Sequence, residues 1–207
     1  LLENPEATKD FMARLLAGEG VHLNGEHQWL LESNLPWDSG ALLSICVSEK
    51  KVKPSADCLV YHPKVLALGV GCERHCEPSE LEALVFSSLN SNGIAFQSLA
   101  GVFSLDLKSD EVAVQELADT LGLPARFFGA EELEVHRERL ENPSDTVFTE
   151  VGCHGVAEGA ALAAAGETGE LVITKKKSLR ATCAVARSQQ DLEASDLGRP
   201  RGILSIV

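Results

Sequence analysis

Aromatic side chains make up only 5% of this 207-residue sequence, and Trp29, Trp37 and Tyr61 all fall in its first third. A base-stacking surface needs repeated aromatics, so the remainder is poorly equipped to bind single-stranded nucleic acid. Positive charge is also scarce. Eighteen Lys and Arg stand against 31 Asp and Glu, a formal net charge of −13, which repels nucleic acid and anionic membrane. No apolar run approaches the roughly 18 residues needed to cross a bilayer, and no signal peptide opens the chain. A soluble protein without nucleic-acid or membrane partners is expected.

Cysteine is present but not in a staple pattern. Cys46, Cys58, Cys72, Cys76, Cys153 and Cys183 are spread along a chain that is 44% hydrophobic. Such a chain can bury a core without disulfides, so reduced thiols and a cytoplasmic setting are expected. The sequence begins at Leu1 and finishes on the apolar run Gly202–Val207, which suggests a piece of a longer polypeptide.

Asn4-Pro5 reads as a cap followed by proline at the first helical position, and Phe11, Met12, Leu15 and Leu16 recur at helical spacing. Residues 21–63 read as strands and turns, with Asn24-Gly25 as a hairpin signal and apolar runs at Ala41–Val47 and Cys58–Tyr61. A second region opens at Pro63-Lys64. Its continuous apolar run Val65–Gly71 suits a strand buried on both faces. Ser79 and Glu82 form a capping-box pattern for a helix striped by Leu81, Leu84, Val85 and Leu89. Then come a run at Ser98–Phe103, a helix over 109–121, a brief strand at Arg126–Phe128, an acidic helix over 130–140 and a small-residue helix over 155–165. Leu171–Thr174 and Ala181–Ala186 are strand-like and joined by a basic turn; residues 188–202 read as a linker.

Strands alternating with helices from 64 to about 187 predict an α/β fold. The expected architecture is a three-layer α/β/α domain over 64–187, its sheet made mixed by a final hairpin. A small α+β region (1–63) precedes it, and 188–207 hold a linker and the start of a following, truncated domain.

Several constellations are candidates for chemistry. Gly69 and Gly71 close a strand just before a helix, where α/β folds place ligands, though a tight turn explains them equally well. No third glycine follows, so a dinucleotide motif is absent. Cys72, His75 and Cys76 are zinc-ligand types, but a second ligand pair at usable spacing is lacking. Asp106, Lys108, Asp110 and Glu111 cluster at a helix mouth, and the helix dipole does not account for Asp106 or Lys108. His154 and Glu158 stand four apart and are expected on one face of the small-residue helix. There Gly152, Gly155 and Gly159 allow close approach, and a base beside helix-start amides suits proton transfer next to an oxyanion.

The strongest physical signal is electrostatic. No acid lies between Glu170 and Asp191, yet Lys175, Lys176, Lys177, Arg180 and Arg187 all do. In so acidic a chain this basic island reads either as a solvated hairpin tip or as an attractor for a small polyanion.

Four ordered stretches resemble the C-terminal domain of the CbiG/CobE family of cobalamin biosynthesis: Leu66–Arg74, Asp106–Glu111, Gly155–Leu162, and the pair Leu171–Lys175 with Ala181–Ala186. Residues 1–63 resemble the linking middle region of CbiG. The terminal Arg199–Val207 resembles the entry to a tetrapyrrole methyltransferase, which points to a CbiG–precorrin methyltransferase fusion. The family's N-terminal domain is missing from this sequence, and that domain and the fused or neighbouring methyltransferase are the expected partners.

The resemblance implies a cobalt-precorrin-5A hydrolase, which opens the δ-lactone of a corrinoid polycarboxylate with loss of acetaldehyde. The alternative it implies is a CobE-like domain that holds or hands on a corrin intermediate. Cobalt would arrive in the substrate, so no cofactor and no metal ligands are expected. Under that reading Glu158 or His154 serves as base, with Lys108 and Asp106 completing the catalytic set. Gly71, Cys72, Arg74, Glu111, Lys175, Lys176, Arg180 and Thr182 would contact the substrate. Relatives resembling this pattern carry a basic residue where Glu73 stands, and an Ala-Thr step in the stretch that here reads Ala100-Gly101-Val102-Phe103-Ser104.

Overall fold

The computed structural model describes residues 1–25, 28–190 and 192. They form two compact units, one of Leu1–Lys64 with Leu89–Ser98, the other of Val65–Ser88 with the described residues from Leu99 onward.

In the first unit, helix α1 (Thr8–Leu16) is followed by strand β1 (Val21–Asn24), a short helix α2 (Gln28–Leu31), β2 (Leu43–Val47) and β3 (Cys58–Tyr61). Phe11 and Leu15 of α1 pack with Val21, Leu43 and Leu59 in the core. The three strands are parallel, in the order β1-β2-β3. Asn24-Gly25 is therefore not a hairpin turn. Gly25, at φ 128°, releases the chain from β1, and α2 precedes the return in the same direction. Asn4 also departs from expectation. It precedes a 3₁₀ turn (Pro5–Ala7) but makes no side-chain cap. Instead its buried amide donates to the carbonyls of Ser55 and Cys58 and accepts from the Val60 amide, satisfying main-chain groups beside β3.

The second unit runs β4 (Leu66–Cys72), α3 (Pro78–Ser91, to Ser88 in this unit), β5 (Leu99–Leu105), α4 (Val112–Leu121), β6 (Ala125–Phe128), α5 (Ala130–Glu134), α6 (Asp145–Val151), α7 (Val156–Ala165), β7 (Glu170–Lys177) and β8 (Ala181–Arg187). Its sheet has the order β6-β5-β4-β8-β7. β4, β5 and β6 are parallel, while β8 runs antiparallel to both β4 and β7, so the sheet is mixed. Every residue of β4 and β5 is buried, as their unbroken apolar runs require for strands covered on both faces.

The two crossovers through α3 and α4 step the same way along the sheet, and right-handed connections put both helices on one face. The bond from the Cys183 thiol to the Ser88 hydroxyl marks that face. α7 covers the other. A Cβ on Gly69 would lie 1.9 Å from the Ala157 carbonyl oxygen, so the glycine permits helix and strand backbones to touch. Gly69 thus sits in mid-strand and makes no turn. Ala160, Ala161, Ala164 and Ala165 complete this close packing, joined by Phe103, Leu105, Phe128 and Leu133.

Helix limits shift where caps were read from sequence. α3 begins at Pro78, so Ser79 lies within its first turn. Residues 106–108 form a 3₁₀ turn, and α4 starts only at Val112. The acidic segment after Ala130 breaks at Glu134 into a separate turn at Arg137–Arg139. Among the described residues no helix is long and apolar enough to cross a membrane. All six cysteines are free thiols. The expected linker (188–202) does not begin as free chain: the Ser188 amide donates to the Val65 carbonyl and Leu192, 3% exposed, joins the core beside α7. Beyond Gln190 only Leu192 is described, so the rest of that segment and the expected entry to a further domain lie outside the described residues.

Candidate functional site

β4 and α7 end side by side because Gly69 draws them together, and an open cavity of about 480 Å³ forms where they end. Its floor is Gly71, Cys72 and Thr182. The N-terminal turn of α7 (Gly155, Val156, Ala157) supplies one wall, Val147, Glu150 and Val151 of α6 another, and the β7–β8 tip (Lys177, Ser178, Leu179, Arg180) a third. Glu73, Arg74, Lys108 and Lys175 complete the lining. The volume falls within the range of small-molecule sites, roughly 300–1,000 Å³.

The sheet register decides which lysines of the island take part. Lys177 pairs with Thr182, which in turn pairs with Gly71, so these three share the cavity face. Lys176 pairs with Cys183 and takes the opposite face. The exposed Lys176 therefore lies outside the cavity, because side chains alternate along a strand.

Most of the cations that do line the cavity hold the protein together. Arg180 donates to Glu73 and to the carbonyls of His75 and Arg74. Arg74 donates to Asp110, to Glu111 and to the Leu107 carbonyl. Glu111, buried, also accepts the amide of His75, whose φ of 57° is left-handed. The loop 73–75 is thus fixed from two sides in a conformation that costs about 1 kcal/mol or more. His75 and Glu111 serve this loop and lie off the cavity. The tip carrying Arg180 is held in turn by Glu80, which accepts from the Ser178 hydroxyl and the Arg180 amide. Those bonds keep the Glu80 carboxyl below its ordinary range.

Lys175 donates its ammonium to the Asn142 carbonyl at 2.7 Å. No hydrogen bond or ion pair engages the ammonium of Lys108 or Lys177 among the described residues. These two lining cations are open to a ligand.

Glu158 and His154 sit elsewhere. Glu158, 1% exposed, accepts three N–H groups, from the Asn142 amide and side chain and the Lys175 amide, at 2.8–2.9 Å. His154 precedes the cap of α7 rather than sharing its face. Its ring Nδ1 donates to the Glu134 carboxylate at 2.8 Å, and the ring stacks on Phe148, centroids 4.4 Å apart. Neither lines the cavity, and nor does the exposed Asp106 in its 3₁₀ turn.

The cavity therefore gathers Gly71, Cys72, Arg74, Lys108, Lys175, Arg180 and Thr182, and leaves out Asp106, Glu111, His154, Glu158 and Lys176. The Cys72 thiol is pushed up to about 11 by burial and by Cys76, so it stays protonated at neutral pH. The Thr182 hydroxyl is held by the Gly71 carbonyl at 3.2 Å. Among the described residues no three His, Cys, Asp or Glu side chains gather as a metal site requires.

Sequence reading placed Lys177 in the basic island but not among the substrate contacts, and it overlooked Leu179 and the α6 wall. Alternation would have paired Lys177 with Lys175. Val147, Glu150 and Val151 have the i, i+3, i+4 spacing of one helix face, a pattern too short to stand out in a seven-residue helix.

Comparison with known proteins identifies the family of the chain. The family described as Cobalamin synthesis G C-terminus matches residues 66–186. Protein CobE of a Sinorhizobium species is 41% identical over 136 residues, 63% of this chain and 88% of that protein. The cobalt-precorrin-5A hydrolase of Priestia megaterium is 36% identical over 129 residues, 62% of this chain but 33% of that protein. The chain thus matches about a third of the hydrolase's length and most of CobE's. Among solved structures, CobE aligns with a TM-score of 0.57 at 36% identity, covering 60% of this chain and 91% of CobE. A cobalamin biosynthesis protein G homologue from Sulfolobus solfataricus shares the fold at a TM-score of 0.51 and 23% identity, over 91% of this chain and 57% of that one. With more than half of its length matched, the chain belongs to the CbiG C-terminal family of cobalamin biosynthesis proteins.

Proposed function

We propose that this domain seats a corrinoid polycarboxylate and that, in the full-length protein, it serves the hydrolytic opening of the δ-lactone of cobalt-precorrin-5A with loss of acetaldehyde. The observation that carries the reading is the cavity at the β4 and α7 ends, in which Lys108 and Lys177 are uncommitted within a chain of net charge −13. An acidic protein repels an acidic ligand, so cations left unpaired beside helix-start amides are a focused attraction that opposes the general field.

Lactone opening needs an activated water and donors for the tetrahedral oxyanion. The amides of the first turn of α7 border the cavity with no side-chain cap competing for them, and Lys108 adds a charge. Apolar Val147, Val151, Val156 and Leu179 suit the flat faces of a macrocycle between its acid groups. Cobalt enters as part of the substrate.

The second reading, a CobE-like domain that holds or hands over the intermediate without chemistry, is favoured by one observation. Glu158 and His154, the bases expected from sequence, are both occupied by protein partners. Incubating the full-length protein with cobalt-precorrin-5A and assaying acetaldehyde separates the two. Release supports hydrolysis, whereas tight binding without release supports holding.

A further inference from the structure

The cavity holds two carboxylates, and they differ in what they already do. Glu73 is taken up by Arg180, its Oε2 lying 3.1 Å from the guanidinium Nε. Glu150, exposed on the cavity side of α6, has no hydrogen bond or ion pair among the described residues. Other lining groups that exchange protons are poor acceptors at neutral pH. The Cys72 thiol is pushed up to about 11, and ammonium and guanidinium groups have no lone pair to offer. By elimination, Glu150 is the one carboxyl group of the lining left without a protein partner among the described residues.

We infer that Glu150 is the general base of the lactone opening. The inference rests on the hydrolase reading above. A water between Glu150 and the lactone carbonyl would give its proton to the carboxylate as its oxygen bonds to the carbonyl carbon. The C=O electron pair moves onto oxygen, where the α7 amides and Lys108 face it. Collapse of the tetrahedral centre re-forms the C=O and breaks the ring C–O bond. The leaving alkoxide recovers the proton from Glu150. The sum is lactone plus water giving a hydroxy acid, with the carboxylate restored. Acetaldehyde leaves in a following step. There the freed hydroxyl loses its proton and becomes C=O while the C–C bond to the macrocycle breaks, its electron pair passing to the conjugated ring, which takes up a proton. Glu150 sits on the α6 wall, one helical turn from Val147 and beside Val151, which border the same space. Glu158, by contrast, is buried under three N–H donors and cannot reach water.

The test uses the full-length protein with cobalt-precorrin-5A. Glu150→Gln should lower kcat for acetaldehyde release by about 10²-fold or more, the usual contribution of a positioned base, with little change in KM. Glu150→Asp should recover part of the rate. Parent-like kcat in Glu150→Gln would overturn the inference while leaving the hydrolase reading intact. An inactive parent would overturn both. Because Glu150 is exposed and unbonded, loss of folding does not complicate the variant; an unchanged thermal transition checks this.

Discussion

Glu158 Oε1 accepts the main-chain amide of Lys175 at 2.8 Å, tying the first turn of α7 to β7 through a buried carboxylate. The same carboxylate takes the Asn142 amide and side chain, and the Lys175 ammonium returns to the Asn142 carbonyl. Three residues close a ring. Glu158→Gln replaces one acceptor oxygen with a donor facing an N–H, leaving a buried polar group unsatisfied. That costs about 2 kcal/mol and should lower the thermal transition by roughly 5 °C. A variant as stable as the parent in urea denaturation would show that the ring is not structural.

Gly69→Ala should be far more damaging than Gly71→Ala. The first would press a Cβ to within 1.9 Å of the Ala157 carbonyl, backbone against backbone. The second meets the Thr182 hydroxyl at 2.9 Å and the Val156 side chain, which can shift. A cost of about 3 kcal/mol is expected for Gly69→Ala and under ~1.5 kcal/mol for Gly71→Ala. Near-UV circular dichroism with thermal denaturation would rank them, and equal losses would refute this account of the α7 contact.

Removing Lys108 or Lys177 should weaken corrinoid polycarboxylate binding several-fold each, and added salt should shrink the difference. Lys176→Ala should bind as the parent does, since register turns Lys176 away from the cavity. Fluorescence or absorbance titrations at two salt concentrations would read this. Equal effects of all three would mean that only net charge matters.

Burial raises the Cys72 thiol to about 11, with Cys76 adding to it and Lys108 opposing. A folded-state value above the unfolded one means that the thiol's share of stability is complete below about pH 9 and drains away as pH climbs towards 11. Cys76, Cys153 and Cys183 shift in the same direction, also chiefly by burial. Denaturant midpoints should therefore hold level to about pH 8 and fall above 9, less steeply in Cys72→Ala. Rapid alkylation of Cys72 at pH 8 would contradict this.

Glu80 titrates with the opposite sign. Its carboxyl lies low because the Ser178 hydroxyl and then the Arg180 amide donate to it, so the anchored hairpin tip is complete at neutral pH and loosens as acid protonates it. Hydrogen exchange at the Arg180 amide should speed up, relative to neighbouring strand amides, in Glu80→Ala. Unchanged exchange would rule out the clamp.

Local pattern was enough for the elements that carry the sheet. Continuous apolar runs marked β4 and β8, glycines bounded α7, and the basic turn marked a hairpin, because burial on both faces, helix termination and tight reversal each leave a signature within a few residues. Parallel pairing of β1 with β2 left none. Asn24-Gly25 suits a hairpin locally, and only the chain's longer route through α2 decides otherwise.

The sequence by itself determined the α/β class, the family and the presence of a basic island in an acidic chain, since these follow from composition, periodicity and short ordered motifs. Tertiary structure alone decided which charges are open. Arg180 and Arg74 are paired to acids over 30 residues or more away in sequence, Lys176 is turned aside by strand register, and Glu158 is closed by Asn142. A charge acts on a ligand only when no nearer partner within the fold has already neutralised it, and nearness in space is what a one-dimensional pattern does not contain.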